Sequence, residues 1–204
     1  EFRRVLFRSH HHAGDTAGAR QLIIQNLRAF ASADPVITLA SGCGAMLKEY
    51  GQHLSGPHAS DFGDRVHDFS AYLQDQKATL PPNNSSGPDR FVVHDPCSLR
   101  NVMKSAHKTH RLLGRIFNTE VNAIPSNSAC CGAAGIYFLT QPGLSGQLRD
   151  DVLRIIRDSG CRTVVTSNIG CALHLRAGIM ANQLDVEIIN HFNGTFVSIN
   201  KGGN

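Results

Sequence analysis

Apolar residues recur along this chain at alternating helical and strand-like spacings. Over 15–33, Leu22, Ile23, Leu27 and Phe30 fall on one face at a 3.6-residue period, which predicts an amphipathic helix. Pro35 follows, and Val36-Ile37-Thr38-Leu39-Ala40 predicts a short buried strand. Ser41-Gly42-Cys43-Gly44 predicts a tight turn into a helix over 45–54. Phe62, Val66, Phe69 and Leu73 keep helical spacing and predict a single helix over 61–77. The polar stretch 81–88 (PPNNSSGP) predicts a linker. Beyond it the pattern predicts a strand at 90–94, a helix over 104–117 and a strand at 121–124. Leu148, Val152, Ile155 and Ile156 then mark an amphipathic helix over 144–159. A strand at 163–168, a turn at 169–171, a helix over 172–181 and a strand at 186–189 complete the series. Strands alternating with helices predict an α/β fold with a parallel sheet covered on both faces.

The pattern repeats. At an offset of 128 residues, Val36-Ile37-Thr38 aligns with Val164-Val165-Thr166, and Gly42-Cys43 aligns with Gly170-Cys171. Helix, strand, Gly-Cys turn and helix thus occur twice in the same order. We read two pseudo-repeated halves with parallel sheets: 10–80, incomplete at its start, and 90–190. They are joined by a linker at 81–89 and followed by a tail at 191–204. Glu1 to Ser9 (EFRRVLFRS) reads as foreign sequence, such as a translated adapter, and stands outside the fold argument.

Composition narrows the function. Of 204 residues, 41% are hydrophobic and 18% charged, enough to bury a core and too few charges for a disordered chain. The net charge is +4, and no Lys/Arg run exceeds two residues, so nucleic acid is not an expected partner. No apolar stretch approaches the ~20 residues needed to span a bilayer. No secretory signal is seen, and a cytoplasmic location is expected.

The six cysteines carry the chemistry. Cys130 and Cys131 are adjacent, a poor arrangement for a structural disulfide and a good one for two thiolates wanted at one place. Thirty-two residues separate Cys97 from the pair, and 39 separate the pair from Cys171. Cys97 and Cys171 each follow a predicted strand and open a predicted helix. In parallel sheets the carboxyl ends of strands carry the ligands. Helix N-termini offer free N–H groups and positive potential, which favour thiolate. The expected ligands are therefore Cys97, Cys130, Cys131 and Cys171, a set suited to an iron–sulfur cluster or to zinc. Cys43 occupies the equivalent Gly-Cys turn of the first half and is a fifth candidate whose partners are missing. Gly132, His94 and Asn168 are expected beside the centre without ligating it. Cys161 reads as a structural core residue.

These residues resemble a known family. Cys97, Cys130-Cys131-Gly132 and the later Gly-Cys turn resemble the cysteine-rich CCG domain, which occurs as a tandem pair in the B subunit of heterodisulfide reductase and related redox subunits. HDPCSLRN (94–101), CCGAAGIY (130–137), QLRD (147–150), TSNIGCALHL (166–175), HHHAGD (10–15) and ASGCGAMLKEYG (40–51) are similar to glycolate oxidase iron–sulfur subunits. That resemblance implies tandem CCG domains, the first truncated, and a preceding ferredoxin-like part. It also implies electron transfer within a glycolate dehydrogenase complex beside flavin-containing subunits, with any membrane association peripheral and made through the complex. The family pattern ends in Cys-x-x-Cys, whereas here Asn168 stands at the first of those positions. Four thiolates remain, which favours a single [4Fe–4S] cluster over a larger non-cubane one. A zinc-stabilised assembly module is the competing reading. A thiol–disulfide enzyme would need a Cys-x-x-Cys motif, which this chain lacks.

Overall fold

The computed structural model describes residues 7–77, 90–125 and 130–190. The proposed linker and tail fall outside them. The architecture is α/β, with two sheets that are wholly parallel.

In the first half, helix α1 (Phe7–His12) leads into α2 (Thr16–Ala29), strand β1 (Val36–Thr38), helix α3 (Ser41–Lys48) and the short α4 (Tyr50–His53). Helix α5 (Pro57–Asp64), strand β2 (Val66–Asp68) and helix α6 (Phe69–Asp75) complete it. Asp15 caps α2 by accepting the Gly18 N–H at 2.9 Å. Ile23, Tyr50, Phe62 and Val66 pack into one core, with the rings of Tyr50 and Phe62 stacked at 5.3 Å.

The helix expected over 61–77 does not exist as one element. Val66 pairs with Val36, and the chain there is β2, parallel to β1. Four hydrogen bonds enforce the break. The Arg65 guanidinium donates to the carbonyls of Asp34 and Phe30 at 2.8 Å each, fastening the residue before β2 to the entry of β1. Asp68 then accepts from the N–H groups of Ser70 and Ala71 at 3.0 and 3.3 Å, which starts a new helix. Phe62 and Phe69 keep helical spacing only because one closes α5 and the other opens α6.

The second half starts with β3 (Phe91–His94), a π-helical turn (Ser98–Met103) and α7 (Ala106–Phe117). It continues through β4 (Asn122–Ala123), α8 (Tyr137–Thr140), α9 (Pro142–Asp158), β5 (Thr163–Thr166), α10 (Ile169–Ala181) and β6 (Glu187–Asn190). The strand order is β4-β3-β5-β6. Alternate residues sort the packing. Val92 and Val164 face Val152 and Ile156 of α9 and Leu175 and Ile179 of α10. Phe91, Val93 and Val165 face Leu113 and Phe117 of α7. β3 and β5 are buried along their whole length, as expected for parallel strands covered on both sides.

Both Gly-Cys segments, expected as turns, are the first turns of α3 and α10, so these helices begin at Ser41 and Ile169. The π-helical turn was not foreseen; it closes at Lys104 with φ +52°. Phe7 to Ser9, set aside as foreign sequence, share α1 with the histidines.

Asp68 is 1% exposed, and burial pushes its carboxyl up to about 6. The folded form therefore holds its proton more tightly than the unfolded chain. The stabilisation is complete below about pH 4 and is lost as pH rises through about 6. Asp68→Asn keeps a capping oxygen and removes the buried charge. Its melting temperature should exceed that of the parent at about pH 7.5, by the roughly 4–8 °C that corresponds to about 2 kcal/mol, and the gain should vanish near pH 4. Thermal unfolding at the two pH values measures both.

Candidate metal centre

The carboxyl ends of β3 and β5 lie side by side, His94 opposite Thr166 in the register. The chain leaving β3 runs through Asp95-Pro96 to Cys97, which is exposed and precedes the π-helical turn. The chain leaving β5 reaches Cys171 at the third residue of α10, where it is buried. Cys130 and Cys131 arrive from the loop ahead of α8, the first half-buried and the second 3% exposed. All six cysteines are free thiols.

The fold brings Cys97, Cys130, Cys131 and Cys171 together. Side-chain hydrogen bonds join Cys97 to Cys130, Cys130 to Cys131, and Cys131 to Cys171, and the charge of Cys171 also acts on Cys97. Cys130 is the acceptor of this series. Bonds from Cys131 and Cys97, then the Gly132 N–H at 3.4 Å, push its thiol well below the ordinary range. Cys97 and Cys131 are pushed up, first because they donate to Cys130 and then by burial. The backbone N–H groups of Ser98 and Ala133 favour the thiolate forms of Cys97 and Cys131. Three main-chain N–H groups thus point at sulfur.

Among the described residues, no three of His, Cys, Asp and Glu are disposed about a point that would hold one metal ion. Cys97 interacts with Cys130 and Cys171, and Cys131 likewise with Cys130 and Cys171. A mononuclear zinc site needs four ligands converging on one centre at ~2.3 Å. An iron–sulfur cluster instead spreads its four thiolates over a larger core. The soft donor set and the three N–H groups suit an iron–sulfur cluster.

The neighbours of this set have definite tasks. His94 is 3% exposed; its Nδ1 lies 3.0 Å from Thr166 Oγ1, and burial pushes its imidazole down to about 4, so it is neutral. Gly132 adopts φ +85°, and a methyl group there would come within 2.5 Å of the Ser145 carbonyl oxygen. The Ser145 hydroxyl donates to the Gly132 carbonyl at 3.0 Å and lies 3.0 Å from His174 Nε2. Asn168 Oδ1 caps α10, accepting from the N–H groups of Gly170 and Cys171 at 2.9 and 3.4 Å. Asp95 meets His110 Nε2 at 2.9 Å and so ties the Cys97 segment to α7.

Cys43 holds the same position in α3 that Cys171 holds in α10, the third residue. It acts on Tyr50, and the hydrogen-bonded series of four thiols does not include it. Cys161 is buried in the core beside Ile156. His10 to His12 are engaged: His10 bonds Asp15 at 2.7 Å, His11 lies 4.5 Å from the His53 ring, and a methyl group on Gly135 would come within 3.1 Å of His12. Sequence reasoning missed Ser41, Ser98, Ser145 and Ser167. Serine between strands and helices is too common for its spacing to signal a role.

Paired cysteines on a glycine loop, facing cysteines at two neighbouring strand ends, are the arrangement to set beside known families. Residues 91–176 match that family, described as a cysteine-rich domain. This chain is similar over most of its length to glycolate oxidase iron–sulfur subunits. It is 32% identical over 186 residues to the probable glycolate oxidase iron-sulfur subunit of Bacillus subtilis, covering 88% of this chain and 42% of that protein. It is 33% identical over 165 residues to the glycolate oxidase iron-sulfur subunit of Escherichia coli, covering 78% of this chain and 40% of that one. Lactate utilization protein A of Geobacillus thermodenitrificans is 25% identical over 194 residues, covering 90% of this chain and 81% of that protein. The chain thus spans about two fifths of the length of the two glycolate oxidase subunits. No solved structure matches it. Among the described residues no helix is long and apolar enough to cross a membrane.

Gly132→Ala forces both an unfavourable φ and a clash with the Ser145 backbone. It should cost about 2 kcal/mol or more and displace the cysteine pair. A lowered melting temperature, together with reduced iron retention after anaerobic reconstitution, is the expected outcome.

Proposed function

We propose that this chain is an electron-transfer module of a 2-hydroxy-acid dehydrogenase complex, with glycolate as the preferred substrate of the whole complex. Cys97, Cys130, Cys131 and Cys171 hold one [4Fe–4S] cluster. The observation that carries this reading is the series of four thiols, drawn from three separate segments to one edge of a parallel sheet. When bound there, such a cluster supplies reversible one-electron redox chemistry.

The protein's own residues set the conditions for that chemistry. The N–H groups of Ser98, Gly132 and Ala133 offset negative charge on sulfur, which raises the reduction potential. Neutral His94 adds no charge beneath the site. Exposed Cys97 places one side of the centre at the surface, where a partner can approach. Relatives named for glycolate oxidase and for lactate utilization support the class of reaction, and the higher identity of the former favours glycolate. The expected partners are flavin-containing subunits that oxidise the substrate and pass on electrons, and membrane association, where it occurs, runs through them.

Anaerobic reconstitution with iron and sulfide tests the reading. The expected product is brown, absorbs near ~400 nm and contains about four iron and four sulfide per chain. Cys131→Ser should abolish iron retention, while Cys161→Ser, in the core, should retain it. Stoichiometric zinc with no chromophore would overturn the cluster assignment, and full iron content in Cys131→Ser would overturn the ligand set.

A further inference from the structure

The thiol site touches the first half of the chain through a small polar bridge. Ser41, fully buried at the start of α3, accepts hydrogen bonds from Ser98 Oγ at 3.1 Å and Ser167 Oγ at 3.3 Å. Its N–H donates to the Ser167 carbonyl at 3.4 Å. Asn168 Nδ2 donates to Ser98 Oγ at 3.4 Å, while its Oδ1 holds the N–H groups of Gly170 and Cys171. Ser98 follows Cys97 directly, and Ser167-Asn168 is the segment that delivers Cys171.

We infer that Asn168, Ser98 and Ser41 form a positioning bridge, by which the first half fixes the spacing of Cys97 and Cys171 without supplying a ligand. The argument is geometric. Asn168 spans the two elements that carry these cysteines. One end of its amide grips the helix that bears Cys171, and the other grips the residue beside Cys97. Ser41 then seats both elements on the first half, since its hydroxyl takes a bond from each. The three residues are neutral, so the bridge adds no charge to an already anionic site. The bond to Ser98 also orients the turn whose backbone N–H meets Cys97. Hydrogen bonds within such a network act together, so the loss of one member loosens the others.

Only one arm of the test rests on the cluster assignment. In the first arm, the metal-free chain is treated with iodoacetamide, and the alkylation rate of each cysteine is read by mass spectrometry. Asn168→Ser keeps a capping oxygen for α10 but is too short to reach Ser98. Ser41→Ala removes the shared acceptor on the other half and touches no cysteine. Each variant should change the rate at Cys97 by roughly two- to tenfold, the range that one hydrogen bond spans, with Cys161 unchanged. The double variant should show less than the product of the two effects. Unchanged rates at Cys97 in both single variants overturn the bridge. So do independent, multiplying effects, or an equal change at buried Cys161, which would report general loosening. In the second arm, the iron-loaded chain should show a shifted midpoint potential and altered electron paramagnetic resonance line shape in both single variants, at unchanged iron content. Parent-like spectra and potential in both variants overturn the bridge. A parent chain that takes up no iron removes the proposed cluster and leaves the alkylation arm decisive for the bridge.

Discussion

The parallel pairing of β3 with β5 is the constraint on which the rest depends. Phe91 to His94 sit opposite Thr163 to Thr166, residue for residue. Both strands therefore end at the same level. The first turns beyond them, carrying Cys97 and Cys171, open on the same edge. A one-residue slip would turn Val92 and Val164 away from α9 and α10, so the hydrophobic pattern on both faces locks the register. The meeting of the thiols thus rests on ordinary packing: valines hold the strands level, and level strands bring sulfur to sulfur.

Much of this was legible in the chain. The 3.6-residue pattern at Leu148, Val152, Ile155 and Ile156 marked α9, and the continuous apolar runs at 91–93 and 163–165 marked the buried strands. Adjacent Cys130 and Cys131, with strand ends on either side, marked the site. What escaped was set by contacts distant in sequence. β2 was hidden because three residues are too few to display a period, and only the pairing of Val66 with Val36 makes them a strand. The start of α10 was placed late because Asn168 does its capping through its side chain, which apolar spacing does not report. The serines at 41, 98 and 167 could be found only after the two halves were set against each other.

The two Gly-Cys helices show how one design diverges within a single chain. α10 opens with a side-chain cap at Asn168, while the equivalent Ala40 before α3 has none. α3 instead gains its anchorage from outside, through the Ser41 N–H bonded to the Ser167 carbonyl. Cys171 joins its helix to a set of thiols, and Cys43, at the same step of its own helix, acts on Tyr50.

Cys131 and Cys171 belong to the same apolar cluster as Val164, Ile156 and Leu175. Each therefore serves two masters, as a hydrophobic side chain in the interior and as a sulfur donor at its rim. Small metal domains that build their interior around an ion collapse when the ion leaves. Here the interior is made of aliphatic side chains that need no inorganic guest, and two of the donors stay seated among them. Were the proposed cluster lost to oxygen, this aliphatic interior would still stand as a shell ready to be refilled.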